Sequence, residues 1–372
     1  MGKGWKWLGI LIGGLMFICA GCTEYPSLER DSEAVVAGYR DFYHSEVLPY
    51  YESGEFGTFQ GSEGIEIAYG TFEQENETGA LVVLHGTNET ALKYAEMIYD
   101  LQSSGLSVYI MEHRGHGNSG RMLTDTEQDQ RKVYIDDFNN YIKDVKLFYD
   151  TIVMQKSHAK VFIMAHSLGG CIAVRYLETY PDDFLAAVLS SPMLHIISAH
   201  PFRVDERVAH SMTSTMVALG MGRDYALGME EPEVLVDAKD PDKFESELLT
   251  KSWKRWRVYN ELIETRPHLL AGGAGVTWGV TNRFAKLSYE ATFKARSYGE
   301  ARKIITPILL FQSGEDWLVG PQGAEKLRKR AVNCKEFKVI EFPDAYHESY
   351  MERDEIRELV VDSTLEFFED HL

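Results

Sequence analysis

The sequence predicts an α/β fold, a mostly parallel central sheet with helices on both faces and an inserted helical cap. Three observations predict it. Short unbroken apolar runs recur along the chain, helix-length segments separate them, and one long interval late in the chain contains no such run. Unbroken apolar strands suit a parallel sheet covered on both faces, and their alternation with helices suits right-handed crossovers.

Taken in order, residues 23–50 are polar, with Glu24, Glu29, Arg30 and Asp31, and read as a tether running into a short leading helix. From Phe56, Gly-Thr-Phe-Gln-Gly and Gly-Ile-Glu-Ile-Ala-Tyr alternate at period two, the pattern of a half-exposed antiparallel hairpin. The apolar runs follow at Ala80–Leu84, Leu106–Met111, Val161–Ala165, Leu185–Leu189, Pro307–Phe311 and Phe337–Phe342. Helices are expected over Ala91–Gln102, Val133–Gln155, Leu168–Tyr180, Gln322–Ala331 and Glu352–Phe368. The interval 193–300 holds five of thirteen Met and three of six Trp, and reads as helices inserted between two strands. Its Met and Trp serve either as core or as adaptable lining for an apolar ligand. The expected organisation is a leader at 1–21, a tether and leading helix at 22–50, a sheet domain from 51–192 and 301–372, and the insertion at 193–300.

The leader differs from the body. Lys3 and Lys6 precede an uncharged run from Trp7 to Ala20, 14 residues long, which is a secretion-signal pattern and too short to span a bilayer comfortably. Removing residues 1–21 deletes two positive charges and no negative ones, taking the net charge from −19 to −21. So acidic a body is a poor electrostatic match for nucleic acid or for anionic lipid. Cys171 and Cys334 remain in the body beside Cys22, too few for a disulfide scaffold; Cys171 falls on an expected helix, where a buried thiol is expected, and pairing of the two stays open.

Chemistry concentrates at Met164-Ala165-His166-Ser167-Leu168-Gly169-Gly170, where an apolar strand meets a helix. A nucleophile elbow needs small residues two before and two after its Ser, because the backbone turns too sharply for side chains; Ala165 and Gly169 fill those places. A Ser hydroxyl needs a base, and the base an orienting acid. Asp316 follows the Pro307–Phe311 run and His347 follows the last run, in the order nucleophile, acid, base. Glu315 and Asp344 are rivals for the acid; Asp316 is preferred for its Gly-Glu-Asp setting. The backbone N–H groups of Leu168 and of Thr87, after the Leu81–Leu84 strand, are the expected oxyanion donors. Neither metal-binding His and Cys spacing nor a Gly-x-Gly-x-x-Gly after an early strand is found, so no metal, dinucleotide or other cofactor is expected.

These residues, with Lys93-Tyr94-Ala95-Glu96, Glu112-His113-Arg114-Gly115-His116-Gly117-Asn118-Ser119-Gly120-Arg121, Tyr134-Ile135-Asp136-Asp137-Phe138, Ser191-Pro192-Met193 and Thr277-Trp278-Gly279, resemble the bacterial lysophospholipase and monoacylglycerol lipase group of α/β-hydrolases. The resemblance runs from about residue 55 to the C-terminus. It implies hydrolysis of a single-chain lipid ester through an acyl-enzyme on Ser167, with the insertion as a cap over the acyl chain. Ala165, where Gly is usual, is a departure. Cys19-Ala20-Gly21-Cys22 resembles a bacterial lipobox, with Cys19 where Leu is usual, and implies lipid attachment at Cys22 and an exported, membrane-anchored lipoprotein. The alternatives are a carboxylesterase or peptidase on the same scaffold, and a lipoprotein that binds without catalysis.

Overall fold

The computed structural model describes residues 28–197, 204–229, 238–265, 277 and 279–372. The expected leader, Cys22 and Trp278 lie outside them. Ser32 caps α1 (Glu33–Phe42), and a π turn (Tyr43–Val47) carries the chain into α2 (Leu48–Glu52). Tyr43, Val47, Leu48 and Tyr51 are buried in the body, so the leading segment is part of the core rather than a loose tether.

Strands β1 (Glu55–Gln60) and β2 (Glu66–Phe72) form the expected hairpin, Phe59 opposite Ile67. Then come β3 (Gly79–Leu84), α3 (Ala95–Asp100), β4 (Leu106–Met111), the short α4 (Glu127–Gln130), α5 (Asn139–Thr151), β5 (Val161–His166), α6 (Ser167–Leu177) and β6 (Ala187–Ser190). Between β6 and β7 lie α7 (Glu206–Ala218), α8 (Pro241–Glu247), α9 (Trp253–Thr265), α10 (Asn282–Ala295) and α11 (Tyr298–Ala301), with no strand among the described residues. The chain closes with β7 (Ile308–Ser313), α12 (Pro321–Arg330), β8 (Phe337–Phe342) and α13 (Asp354–Glu369).

The eight strands run in the order β1-β2-β4-β3-β5-β6-β7-β8; β2 is antiparallel to both its neighbours, β1 and β4, and the remaining pairs are parallel. Successive side chains point to opposite faces of a strand, and both faces here are buried. Val82 and Leu84 of β3, Ile163 and Ala165 of β5, and Ile308 and Leu310 of β7 pack with residues of α5, α6, α10 and α12. Leu81, Val83, Phe162, Met164, Leu309 and Phe311 pack on the other side with α3, α9 and α13. Period-two splitting of unbroken apolar strands is thus what layers the molecule.

Three expectations shift. The Ala91–Gln102 helix is a short α3 between two 3-10 turns. The Val133–Gln155 helix starts only at Asn139, because Val133 pairs with Val280 of the insertion and Asp137 Oδ1 accepts the Asn139 N–H at 2.9 Å. Strand β8 is covered less than its partners, since it is the edge strand, and its exposed Lys338 and Glu341 discourage edge-to-edge pairing.

A fully buried bidentate pair, Arg114 Nε to Asp144 Oδ2 at 2.6 Å and Nη2 to Oδ1 at 2.7 Å, pins the loop after β4 to α5. Asp144→Ala strands a buried cation, so unfolding in urea should show a loss of about 3–5 kcal/mol, while Arg114→Met with Asp144→Leu should lose less. Equal losses would contradict this account of the pair.

Candidate active site

The carboxyl ends of the parallel strands gather the polar residues, as expected of an open α/β sheet. Ser167 directly follows β5 and has φ of 49°, the left-handed region that a non-glycine residue adopts only under constraint. The constraint is visible at Gly169. A Cβ there would sit 2.4 Å from the Leu84 carbonyl oxygen and 2.7 Å from that of His85, and the Gly169 N–H donates to His85 O at 3.1 Å. A Cβ on Gly170 would meet Pro192 Cβ at 2.6 Å. The small residues around Ser167 are therefore demanded by contact with the end of β3 and the turn after β6. Met193 N–H, in turn, donates to Ser167 O at 2.8 Å.

His347 lies in the loop after β8, and its Nδ1 is 2.7 Å from Asp316 Oδ2. Both side chains are buried. Asp316 Oδ1 accepts the N–H groups of Leu318 and Val319 at 2.8 and 3.0 Å, so the carboxylate is fixed before it meets the ring. Burial alone would raise the Asp316 pKa; the His347 charge and these hydrogen bonds outweigh it, and the carboxyl lies below its usual value. Burial likewise opposes the imidazolium of His347, yet the Asp316 charge and hydrogen bond carry its pKa above the usual value. The rival acids are elsewhere: Asp344 pairs with Lys251 and Arg353, Glu315 with Lys251, and both are exposed. His347 Nδ1 thus has a fixed acceptor, which leaves Nε2 to face a reacting group.

Ser167 comes to the same end of the sheet, the ring of its neighbour His166 lying 4.7 Å from that of His347. The Ser167 hydroxyl makes no hydrogen bond to His347 in this arrangement, a bond that in ligand-free sites commonly tightens only with substrate. Leu168 is the second residue of α6, its side chain buried and its N–H in the first turn of the helix. Thr87 follows Gly86 in the turn after β3 and is half-exposed. The His-Arg-Gly-His-Gly loop braces that turn: His113 N–H donates to His85 Nε2 at 2.9 Å, and Glu112 Oε1 accepts the Ala91 N–H at 2.9 Å. A cavity of about 400 Å³ touches Asp316 but is lined by His195, Ile196, Val204, Glu206 and Gln322 rather than by Ser167.

Beneath these loops is a buried cluster with no local signature in the sequence. Lys93 Nζ binds both Glu348 Oε1 and Glu89 Oε1, the latter at 3.2 Å. Glu89, His166 and Glu348 have ligating atoms close enough to hold a metal, but the two carboxylates already share the Lys93 ammonium. The i,i+4 spacing of Glu89 and Lys93 is a signal that could have drawn attention to that half of the cluster.

A family model described as serine aminopeptidase, S33, matches residues 75–354. The chain belongs to that family. It is accordingly a hydrolase with the α/β-hydrolase fold. Within and around the family, the chain is similar to lysophospholipase L2 of Escherichia coli (strain K12), 27% identical over 352 residues and covering 92% of this chain and 96% of the relative. It is also similar to a monoacylglycerol lipase of Mycolicibacterium smegmatis, 24% identical over 317 residues, 85% of this chain and 97% of that one. Among solved structures, a soluble variant of Saccharomyces cerevisiae monoglyceride lipase in complex with a substrate analog superimposes with a TM-score of 0.61 at 17% identity, over 86% of this chain and 97% of the other. Paleococcus ferrophilus monoacylglycerol lipase gives 0.57 at 22%, over 82% and 99%.

The two Cys of the body are free thiols, Cys171 buried and Cys334 half-buried. Among the described residues of the insertion, Trp253 and Trp256 stack at 5.4 Å and pack with Phe244 and Val36, a core cluster against α1; Met193 is buried in the main core, whereas Met212, Met221 and Met229 are exposed.

The Asp316–His347 pair carries a pH signature. Lowering of the Asp316 pKa stabilises the fold above the usual carboxyl value and is lost in acid. Raising of the His347 pKa stabilises it below the usual imidazole value and is lost as pH rises through the raised one. The pair is thus fully effective between about pH 4 and 6.5. The stability lost on Asp316→Asn, measured by urea unfolding, should be larger at pH 5.5 than at pH 9; a pH-independent loss would argue against a charged pair.

Proposed function

We propose that the protein hydrolyses carboxylic esters of single-chain lipids, a lysophospholipid or a monoacylglycerol, through an acyl-enzyme on Ser167. The observation that carries the reading is the buried Asp316–His347 hydrogen bond at the strand ends where the Ser167 elbow also emerges. His347 Nε2 takes the Ser167 proton as the hydroxyl attacks the ester carbonyl, and the imidazolium is held by Asp316. The tetrahedral oxyanion is met by the N–H groups of Leu168 and Thr87. The alcohol leaves with the proton from His347, and water activated by the same ring deacylates the serine. The substrate class is supported by similarity along nearly the whole chain to a lysophospholipase and a monoacylglycerol lipase. The insertion is read as the cap over the acyl chain, its apolar lining supplied by residues other than the Trp253–Trp256 pair.

The family description favours one second reading, an aminopeptidase. Such an enzyme needs a carboxylate free to hold the substrate's ammonium. Asp316 is bound to His347, and Glu89 and Glu348, the carboxylates beside His166 and next to His347 in the chain, are buried and committed to Lys93, which weighs toward the ester.

Fatty-acid release from lysophosphatidylcholine and monoolein, beside hydrolysis of a short p-nitrophenyl ester and an aminoacyl p-nitroanilide, tests the reading. Long-chain esters should be the best substrates, and Ser167→Ala should lower kcat at least about 10⁴-fold. Turnover of the anilide alone, or of the short ester alone, would overturn the lipid assignment.

We also propose that residues 1–21 direct export and that Cys22 carries the lipid anchor, on the strength of Lys3, Lys6, the apolar run and the small residues before Cys22. The expressed full chain should partition into detergent and Cys22→Ser should abolish both the partitioning and the acyl mass on the mature N-terminus. Identical partitioning of the two would contradict it.

A further inference from the structure

Lys93 sits on the 3-10 turn Ala91–Tyr94, below the turn that carries Gly86 and Thr87. Its ammonium reaches Glu348, the residue after His347, and Glu89 at 3.2 Å. Glu89 is saturated: Oε2 accepts the Gly86 N–H at 2.6 Å and the Tyr94 hydroxyl at 2.9 Å, and Oε1 accepts the Tyr350 hydroxyl at 2.9 Å. The rings of Tyr94 and Tyr350 stack at 4.8 Å, and His166 Nε2, one residue before Ser167, lies 3.7 Å from Glu89 Oε1. One buried cluster therefore touches the turn after β3, the last residue of β5 and the loop after β8. These are the segments that carry Thr87, Ser167 and His347.

Stability does not account for it. Two carboxylates share one ammonium in the interior, and buried ion pairs return about what their desolvation costs, so replacement by apolar side chains of similar size is often neutral or stabilising. The placement is the informative part. Glu348 is held by its side chain to Lys93 and by its N–H to Leu249 O at 2.8 Å, while Tyr346 N–H is held by Glu352 Oε1 at 3.0 Å. His347 is fixed between two anchored neighbours.

We propose that Lys93 and Glu348 are positioning residues: their ion pair sets the His347 loop against the Gly86–Thr87 turn. The inference rests on the roles given above to Ser167 and His347. The groups facing Glu348 are Lys93, Glu89, His347, Tyr94 and Tyr350, with Tyr259 of α9 lying 5.5 Å from Lys93 Nζ. Burial pushes the Glu348 carboxyl up to about 7 against the pull of Lys93, and Glu348 in its charged form favours the His347 imidazolium after Asp316 does. His166, lowered to about 3 by burial, stays neutral and adds no charge.

The test uses the full chain as wild type, Lys93→Met, Lys93→Arg and Glu348→Gln. For each, kcat and KM on a p-nitrophenyl ester are measured from pH 5 to 9, beside the rate of fluorophosphonate labelling and the thermal unfolding midpoint. Lys93→Met should lose about 10–100-fold in kcat and labelling rate with KM within about twofold, the signature of a displaced base, and Lys93→Arg should recover most of it. Glu348→Gln, nearly isosteric, removes a negative charge beside His347, so the acid limb of kcat/KM should move to lower pH. Wild-type rates in Lys93→Met and Glu348→Gln with an unmoved acid limb would overturn the inference. So would losses that are equal in Met and Arg variants and follow the unfolding midpoint. If Lys93→Met fails to fold, the Arg and Gln variants carry the test. A wild type that does not label overturns the reading of Ser167 itself; variants failing in a background that labels bear only on the ion pair.

Discussion

Most of the site depends on the close approach of α6 to the end of β3. Gly169 lies where any side chain would strike the Leu84 and His85 carbonyls. That contact constrains the Ser167 turn, where Ser167 takes a positive φ, and the Gly169 N–H bound to His85 O ties α6 to the segment that leads into Gly86 and Thr87. Strand order does the rest: β3 and β5 are neighbours, β6 and β7 follow, and β8 closes the edge, so residues far apart in sequence converge at one rim. The buried Arg114–Asp144 and Lys93–Glu348 pairs then hold the loops that this convergence leaves without regular backbone partners.

The architecture was largely legible in the sequence because its signals are local. Six apolar runs mark the six parallel-sheet segments closely, Leu185–Leu189 being trimmed to Ala187–Ser190. The elbow was legible for the same reason, since Ala165, Ser167 and Gly169 fall within five successive residues at a strand-to-helix turn. Asp316 and His347 could be assigned by chain order, and the 2.7 Å contact between them is what distinguishes Asp316 from Glu315 and Asp344. What escaped was long-range. The Lys93–Glu348 pair spans 255 residues and leaves no period or spacing to read. Trp253 and Trp256 suit ligand lining or core equally by sequence; it is Val36 of α1, packed against them, that makes them core. Edge status likewise depends on strand order, so the exposed face of β8 could not be read from its own residues.

The insertion is not a lid resting on an independent body. Leu249 O receives the Glu348 N–H, Thr250 Oγ1 donates to Met351 O at 2.8 Å, and Arg40 of α1 forms a bidentate pair with Glu261 of α9 at 2.7 and 2.8 Å. The segment that would cover an acyl chain is therefore bonded both to the loop that carries His347 and to the leading helices. On the proposed reading, substrate fit and placement of the base share one set of contacts, and the length of the chain is that of one body with its insertion woven in.

The account stands on Ser167 as the nucleophile that His347 activates. Its most direct measurement is the site of covalent capture: wild-type protein treated with a fluorophosphonate, digested, and mapped by mass spectrometry. One adduct per chain on the peptide containing Ser167, absent when His347 is replaced by Gln, is the predicted result. An adduct on another residue, or capture at Ser167 undiminished without His347, would contradict it.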